Sequence, residues 1–217
     1  MTPHQAILLQ HEALEWVREY YGSTLQLSPP VLLATKGMPF HYRSRTNDSV
    51  IGLNTSLSIE DMLVSVGEEA GHLIHGRENP EVSLAVAFAG TIWNDKSRDE
   101  ETRRVAMVTF GKLRNLEEFA GRLGGLAFFQ YKGGYPEAYS NTMEWTSEGP
   151  PRYFDDIQHQ DGYTLALQVI RKGTPPLRLR RQLLQCTTLE EAIELTQPYR
   201  IESEREKQWK QWGGAKR

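Results

Sequence analysis

Apolar positions recur at roughly helical spacing from the start of the chain. Ile7, Leu8, Leu14, Trp16 and Val17 predict a helix over Pro3–Tyr21, with Thr2 before Pro3 as cap and first position and Gly22 as terminator. Three short runs of strand character follow, Val31–Thr35, Phe40–Arg45 and Val50–Leu53. The turn-like sequences Lys36-Gly37-Met38-Pro39 and Thr46-Asn47-Asp48 separate them, which predicts a small antiparallel sheet. Ser58, with Asp61 three residues on, marks a helix start, and Gly76 is the expected stop after His75.

Pro80–Trp93 is almost wholly apolar and reads as a buried helix. Asp99–Leu113 and Leu116–Phe129 read as two further helices joined at Arg114-Asn115. Gly133–Asp161, rich in glycine and proline, reads as a long irregular connection. Tyr163–Arg171, Leu177–Leu184 and Leu189–Leu195 read as helices, the last capped by Thr188, and residues 202–217 as a charged tail carrying Trp209 and Trp212. The pattern predicts an α+β fold: one mostly helical domain over residues 1–200, with its sheet beside the Ser58–His75 helix.

The chemistry concentrates on that helix. At about 100° per residue, Ile59, Met62, Leu63, Val66, Ala70, Leu73 and Ile74 fall on one side. Asp61, Ser65, Glu68, His72 and His75 fall on the other, with Glu69 at its flank. Glu68 and His72, four apart, reach a shared point, and His72 neighbours His75. Imidazole with carboxylate is a ligand set for zinc or iron. A solvated face is the plain alternative. Against it stand the absence of Lys and Arg from the run and two glycines, Gly67 and Gly71, each costing about 0.8–1 kcal/mol relative to alanine in a helix. His75 lies about 10 Å along the axis from Glu68, so it completes a site with His72, stands behind it, or equally serves as a capping or surface group. Glu69 and His72 also form a Glu-x-x-His pair of the di-iron bundle kind, but that architecture needs a second such pair. Asp156 and His159 have the spacing, within the Pro/Gly-rich stretch.

Composition narrows the function classes. Hydrophobic residues at 39% and charged residues at 24% suit a globular protein and not a disordered chain. A formal net charge of −3 gives no overall positive field for nucleic acid or an anionic membrane. The basic cluster Arg171, Lys172, Arg178, Arg180 and Arg181 reads as a solvated face or a contact for an acidic partner. With Cys186 as the one cysteine, a cysteine-based zinc cluster and an intrachain disulfide are excluded. The N-terminal stretch lacks the pattern of a signal peptide, and no run approaches the roughly 20 apolar residues of a membrane span, so a cytoplasmic location is expected.

The run Gly67-Glu68-Glu69-Ala70-Gly71-His72-Leu73-Ile74-His75-Gly76 resembles the His-Glu-x-x-His helix of zinc metallopeptidases, and more narrowly the ImmA/IrrE-type metallopeptidases. Ile51-Gly52-Leu53-Asn54 before it, and the stretches Glu100–Ala106 and Leu116–Phe119 after it, are in keeping. The resemblance covers roughly Tyr20 to Phe119. It implies a zinc-dependent peptidase acting on protein or peptide substrates, with Glu69 as general base. It also implies an acidic third ligand from a downstream helix, at a distance that points to Glu101, with Glu100 next. Glu101 equally suits a first helical turn, where acids match the helix dipole. Asp161-Gly162-Tyr163 resembles the helix that closes the cleft in such peptidases, implying an oxyanion-stabilising Tyr163, against a packed aromatic as the alternative; His159 and Tyr153 are weighed in the same way. One departure matters: Glu68 stands where the motif has its first histidine. The expected ligands are thus Glu68, His72 and Glu101, with His75 as a further candidate. The alternative is a non-catalytic binding or regulatory protein that kept the fold.

Overall fold

The computed structural model describes residues 1–24, 29–36, 40–43, 49–136, 139 and 154–201, with backbone alone at 35, 40–43 and 154–161. Helix α1 spans Pro3–Tyr21. Thr2 accepts from the Gln5 amide while the Gln5 side chain reaches back, a reciprocal cap, and Gly22 ends the helix at φ 66°. Its buried face carries Ala6, Ala13, Val17 and Tyr21.

Strands β1 (Val31–Thr35), β2 (Phe40–Arg43) and β3 (Ser49–Asn54) form a sheet in the order β1-β3-β2. The pairing corrects the antiparallel expectation in one half. β2 runs antiparallel to β3, with Phe40 opposite Gly52, but β1 runs parallel to β3, with Leu32 opposite Ile51. The chain reverses twice between β1 and β3, so when β3 takes the central place its two neighbours must point in opposite directions. The apolar run Val50-Ile51-Gly52-Leu53 explains the central place, since Ile51 and Leu53 are almost wholly buried. On the outer strand, Leu33 accepts from the Gln10 side chain of α1 at 3.2 Å.

Helix α2 spans Ile59–Glu78, capped by Ser58, whose hydroxyl accepts from the Asp61 amide. It passes through Gly76, the expected stop, which stays helical and buried. The helix ends at Asn79, whose side chain donates to the Cys186 carbonyl at 2.7 Å, and Pro80 opens α3 (Pro80–Asn94). Only Val82, Val86 and Ala89 of α3 are buried, while Leu84 and Phe88 are each 69% exposed, so α3 is a half-covered helix and not the buried one its composition predicts.

The two helices expected from Asp99 to Phe129 are one, α4, over Glu100–Tyr131. Arg114 and Asn115 continue it: Arg114 pairs with Glu117 and Glu118 one turn on, and the Asn115 side chain accepts from the Gly162 amide. α5 (Phe154–Lys172) begins well inside the stretch expected to be irregular, and α6 (Leu177–Leu183) and α7 (Leu189–Thr196) follow it. One hydrophobic cluster takes residues from every helix and from β3, with Leu116, Phe119, Leu123 and Phe128 of α4 at its centre. Among the described residues no helix is long and apolar enough to cross a membrane. The expected tail at 202–217 lies outside the described residues, as do Tyr153 and the side chains of Asp156 and His159.

Candidate metal centre

The site forms where α2 crosses α4, and glycines set how close the two helices come. A Cβ on Gly67 would stand 2.8 Å from Phe128 Cβ and 3.0 Å from Gly125 Cα. One on Gly71 would stand 2.9 Å from the Ala120 carbonyl oxygen and 3.0 Å from Gly121 Cα. Gly121 in turn lies beneath the His72 ring, with room for hydrogen only. The glycines of the motif run therefore serve backbone approach, and they turn the polar strip of α2 toward α4 instead of toward water. The Glu68 and His72 side chains keep only 12% and 10% exposure.

Three ligand atoms, one each from Glu68, His72 and Glu118, lie within 4.8 Å of one another, a group that could hold a metal ion. Two carboxylates and an imidazole suit zinc, iron or manganese better than calcium. Charged and hydrogen-bonding neighbours surround the group. Glu68 Oε2 accepts from Arg122 Nη1 at 2.9 Å, and Glu68 Oε1 accepts from the Tyr163 hydroxyl. His72 Nε2 stands 3.5 Å from Glu118 Oε2, and Glu118 Oε1 stands 2.5 Å from Arg114 Nη2. The Arg122 guanidinium lies 4.5 Å from the centre of the Tyr163 ring and 5.4 Å from that of Tyr139, whose hydroxyl donates to Asp61.

Titration follows from burial against these charges. Burial opposes a charged His72, but the charge and hydrogen bond of Glu118, joined by Glu69, outweigh it and raise the imidazole to about 9. Burial, with the charges of Glu68 and Glu118, pushes Glu69 up to about 7 against the opposing pull of His72 and Arg114. Glu69 Oε2 is buried and has no hydrogen-bond partner among the described residues. Burial and the charge of Glu68 push the Tyr163 phenol far above its ordinary value, so Tyr163 acts as a donor.

Of the residues expected from sequence, Glu68, Glu69, His72 and Tyr163 come together. Tyr163 arrives because the glycine before it lets α5 seat directly on α4, where a Cβ on Gly162 would stand 2.3 Å from the Asn115 carbonyl oxygen. Glu101 does not join them. It is exposed in the first turn of α4, paired with Arg104 at 2.7 Å, and 17 residues of helix put it about 26 Å from Glu118. Glu100, beside it, is equally remote. His75 is wholly buried and not in the group: it lies on nearly the same line of α2 as Glu68 but two turns, about 10 Å, further along the axis. The members that spacing missed are Glu118, Arg114, Arg122 and Tyr139. A signal for Glu118 existed: on a helical wheel it shares its line with Gly111, Gly125 and Phe129, small or apolar residues that mark a covered face.

No protein-family model, curated protein or solved structure matches this chain.

Proposed function

We propose that the chain is a metal-dependent hydrolase, a zinc peptidase of zincin-like design acting on protein or peptide substrates. The observation that carries the reading is the convergence of Glu68, His72 and Glu118 with a buried carboxylate, Glu69, next along the helix. Glu68, His72 and Glu118 would hold the ion. When bound, a zinc ion supplies Lewis acidity and eases the ionisation of water. Glu69 has no competing hydrogen-bond partner at Oε2 among the described residues, and with a proton affinity near neutrality it suits a base that takes a proton from water and passes it to a leaving amine. Tyr163 donates its one O–H to Glu68, and released from that bond when Glu68 turns to the ion it would donate to an oxygen that gains negative charge. The ligand set differs from the resembled motif in both identity and charge, since a second carboxylate replaces a histidine and weakens the ion as a Lewis acid.

Metal analysis and hydrolysis assays test this directly. The expected result is about one zinc per chain, lost in His72→Ala, and peptide hydrolysis that Glu69→Gln abolishes while zinc stays bound. Sub-stoichiometric metal unaffected by His72→Ala would sink the reading. The second reading, a non-catalytic binding protein, draws on the pairing of both carboxylates with arginine, a charge arrangement that holds together without an ion. It expects wild type and Glu69→Gln to be equally inert, with the metal-free chain as heat-stable as the zinc-treated one.

A further inference from the structure

Arg122 is the unusual member of this site. Its side chain is 7% exposed, and among the described residues the carboxylate it pairs with is Glu68. It also lies over the ring faces of Tyr163 and Tyr139, which attract a cation but offer no lone pair to its N–H groups. A guanidinium so far out of water is tolerated because a carboxylate neutralises it, and removing that partner is costly.

A divalent ion bound by Glu68, His72 and Glu118 draws on that same carboxylate. Both oxygens of Glu68 already accept a hydrogen bond, so the ion must displace Arg122 or Tyr163, or share Glu68 with them at reduced strength. In each case the ion draws on the charge of Glu68, so the buried fork of N–H donors beside it loses part of its anion. We infer that the metal-loaded site takes a ligand bearing an oxyanion, a carboxylate or a phosphate, received by Arg122. The inference rests on the metal reading of this group and adds the chemical class of what binds there. A planar guanidinium pairs with either oxyanion through two parallel N–H bonds, which a neutral amide cannot match. Metal and anion then bind with positive coupling, and the coupling is reciprocal.

The test uses the full chain and measures zinc affinity by competition with a chromophoric chelator at fixed free zinc. It compares perchlorate as the sole anion with added acetate and with added inorganic phosphate. The expected result is about a tenfold tightening of zinc by one of the two oxyanions, and the stronger arm tells a carboxylate ligand from a phosphate ligand. In Arg122→Gln zinc should bind more tightly than in wild type under perchlorate and ignore both oxyanions. Arg122→Lys, which keeps the charge but not the fork, should retain a reduced coupling. A wild-type zinc affinity indifferent to both oxyanions overturns the inference while leaving the metal site standing, and so does coupling that persists in Arg122→Gln. A wild-type chain that binds no zinc under any of the three conditions removes the metal reading itself, and the inference with it.

Discussion

Replacing Gly121 by alanine should damage the protein although alanine is the better helix former. In an open helix the exchange gains about 0.8–1 kcal/mol. Here the new methyl carbon would stand 2.5 Å from His72 Cε1 and 2.6 Å from Nε2, where ordinary contact needs about an ångström more. The imidazole has to leave, and it leaves its 3.5 Å approach to Glu118 Oε2. Overpacking costs about 1–3 kcal/mol, and weakening a buried charged hydrogen bond costs a similar amount, so after the propensity gain the net effect is a loss of about 3 kcal/mol. Urea unfolding of the metal-free protein measures it. Gly90→Ala supplies the control: its methyl meets only the edge of the Phe110 ring at 3.2 Å, and stability should stay level or rise. Two further readouts belong to the mechanism and not to clash in general. The His72 titration, followed by NMR, should fall from about 9 toward the ordinary histidine value. The damage should also shrink in a His72→Ala background, a non-additivity of about 1–2 kcal/mol. A Gly121→Ala protein as stable as wild type, with an unmoved His72 titration, would refute the reasoning.

Three more outcomes are expected. Both His72 and Glu69 hold their protons more tightly folded than unfolded, so the stability each contributes to the metal-free protein is full below its ordinary titration range and is lost as pH rises, through about 7 for Glu69 and about 9 for His72. The His72 limb is on the order of 3 kcal/mol, and equilibrium unfolding of His72→Gln between pH 6 and 9.5 should show it flattened. Glu118→Ala should abolish zinc binding by equilibrium dialysis, while Glu101→Ala, which removes an exposed carboxylate paired with its neighbour Arg104 across one turn, should leave it unchanged. Cys186 is buried, and burial with the nearby Glu191 raises its thiol to about 11, so a thiol reagent at pH 7.5 should label it slowly in native protein and promptly in urea.

Elements with strong local signals were legible from the chain: the Thr2 and Ser58 caps, Gly22, and the apolar stripes of α1 and α2. Signals that depend on what lies opposite were not. Gly76 looks like a helix stop in isolation, yet it stays helical inside a covered helix. The direction of β1 relative to β3 depends on which strand takes the middle of the sheet, which no single strand encodes. The same division runs through the site. Glu68, Glu69 and His72 share one helix, so their spacing placed them. Glu118 comes from another helix, and choosing it over Glu101 requires knowing which turn of α4 meets the glycines of α2. Gly67 and Gly71 were evidence of an unusual face, but their physical meaning, a close crossing, needed Gly121 and Gly125 across from them.

The hairpin of α3 and α4 offers a practical handle. The turn joining the two helices, around Asp95 to Asp99, is held by its own short bonds, Ser97 to Asp95 and Thr102 to Asp99, and its residues are largely exposed. It stands more than 25 Å along α4 from Glu118, with the rigid helix in between. A fluorophore, an affinity tag or an inserted domain at Lys96-Ser97 would therefore report on the whole molecule while leaving the chemistry at the crossing untouched.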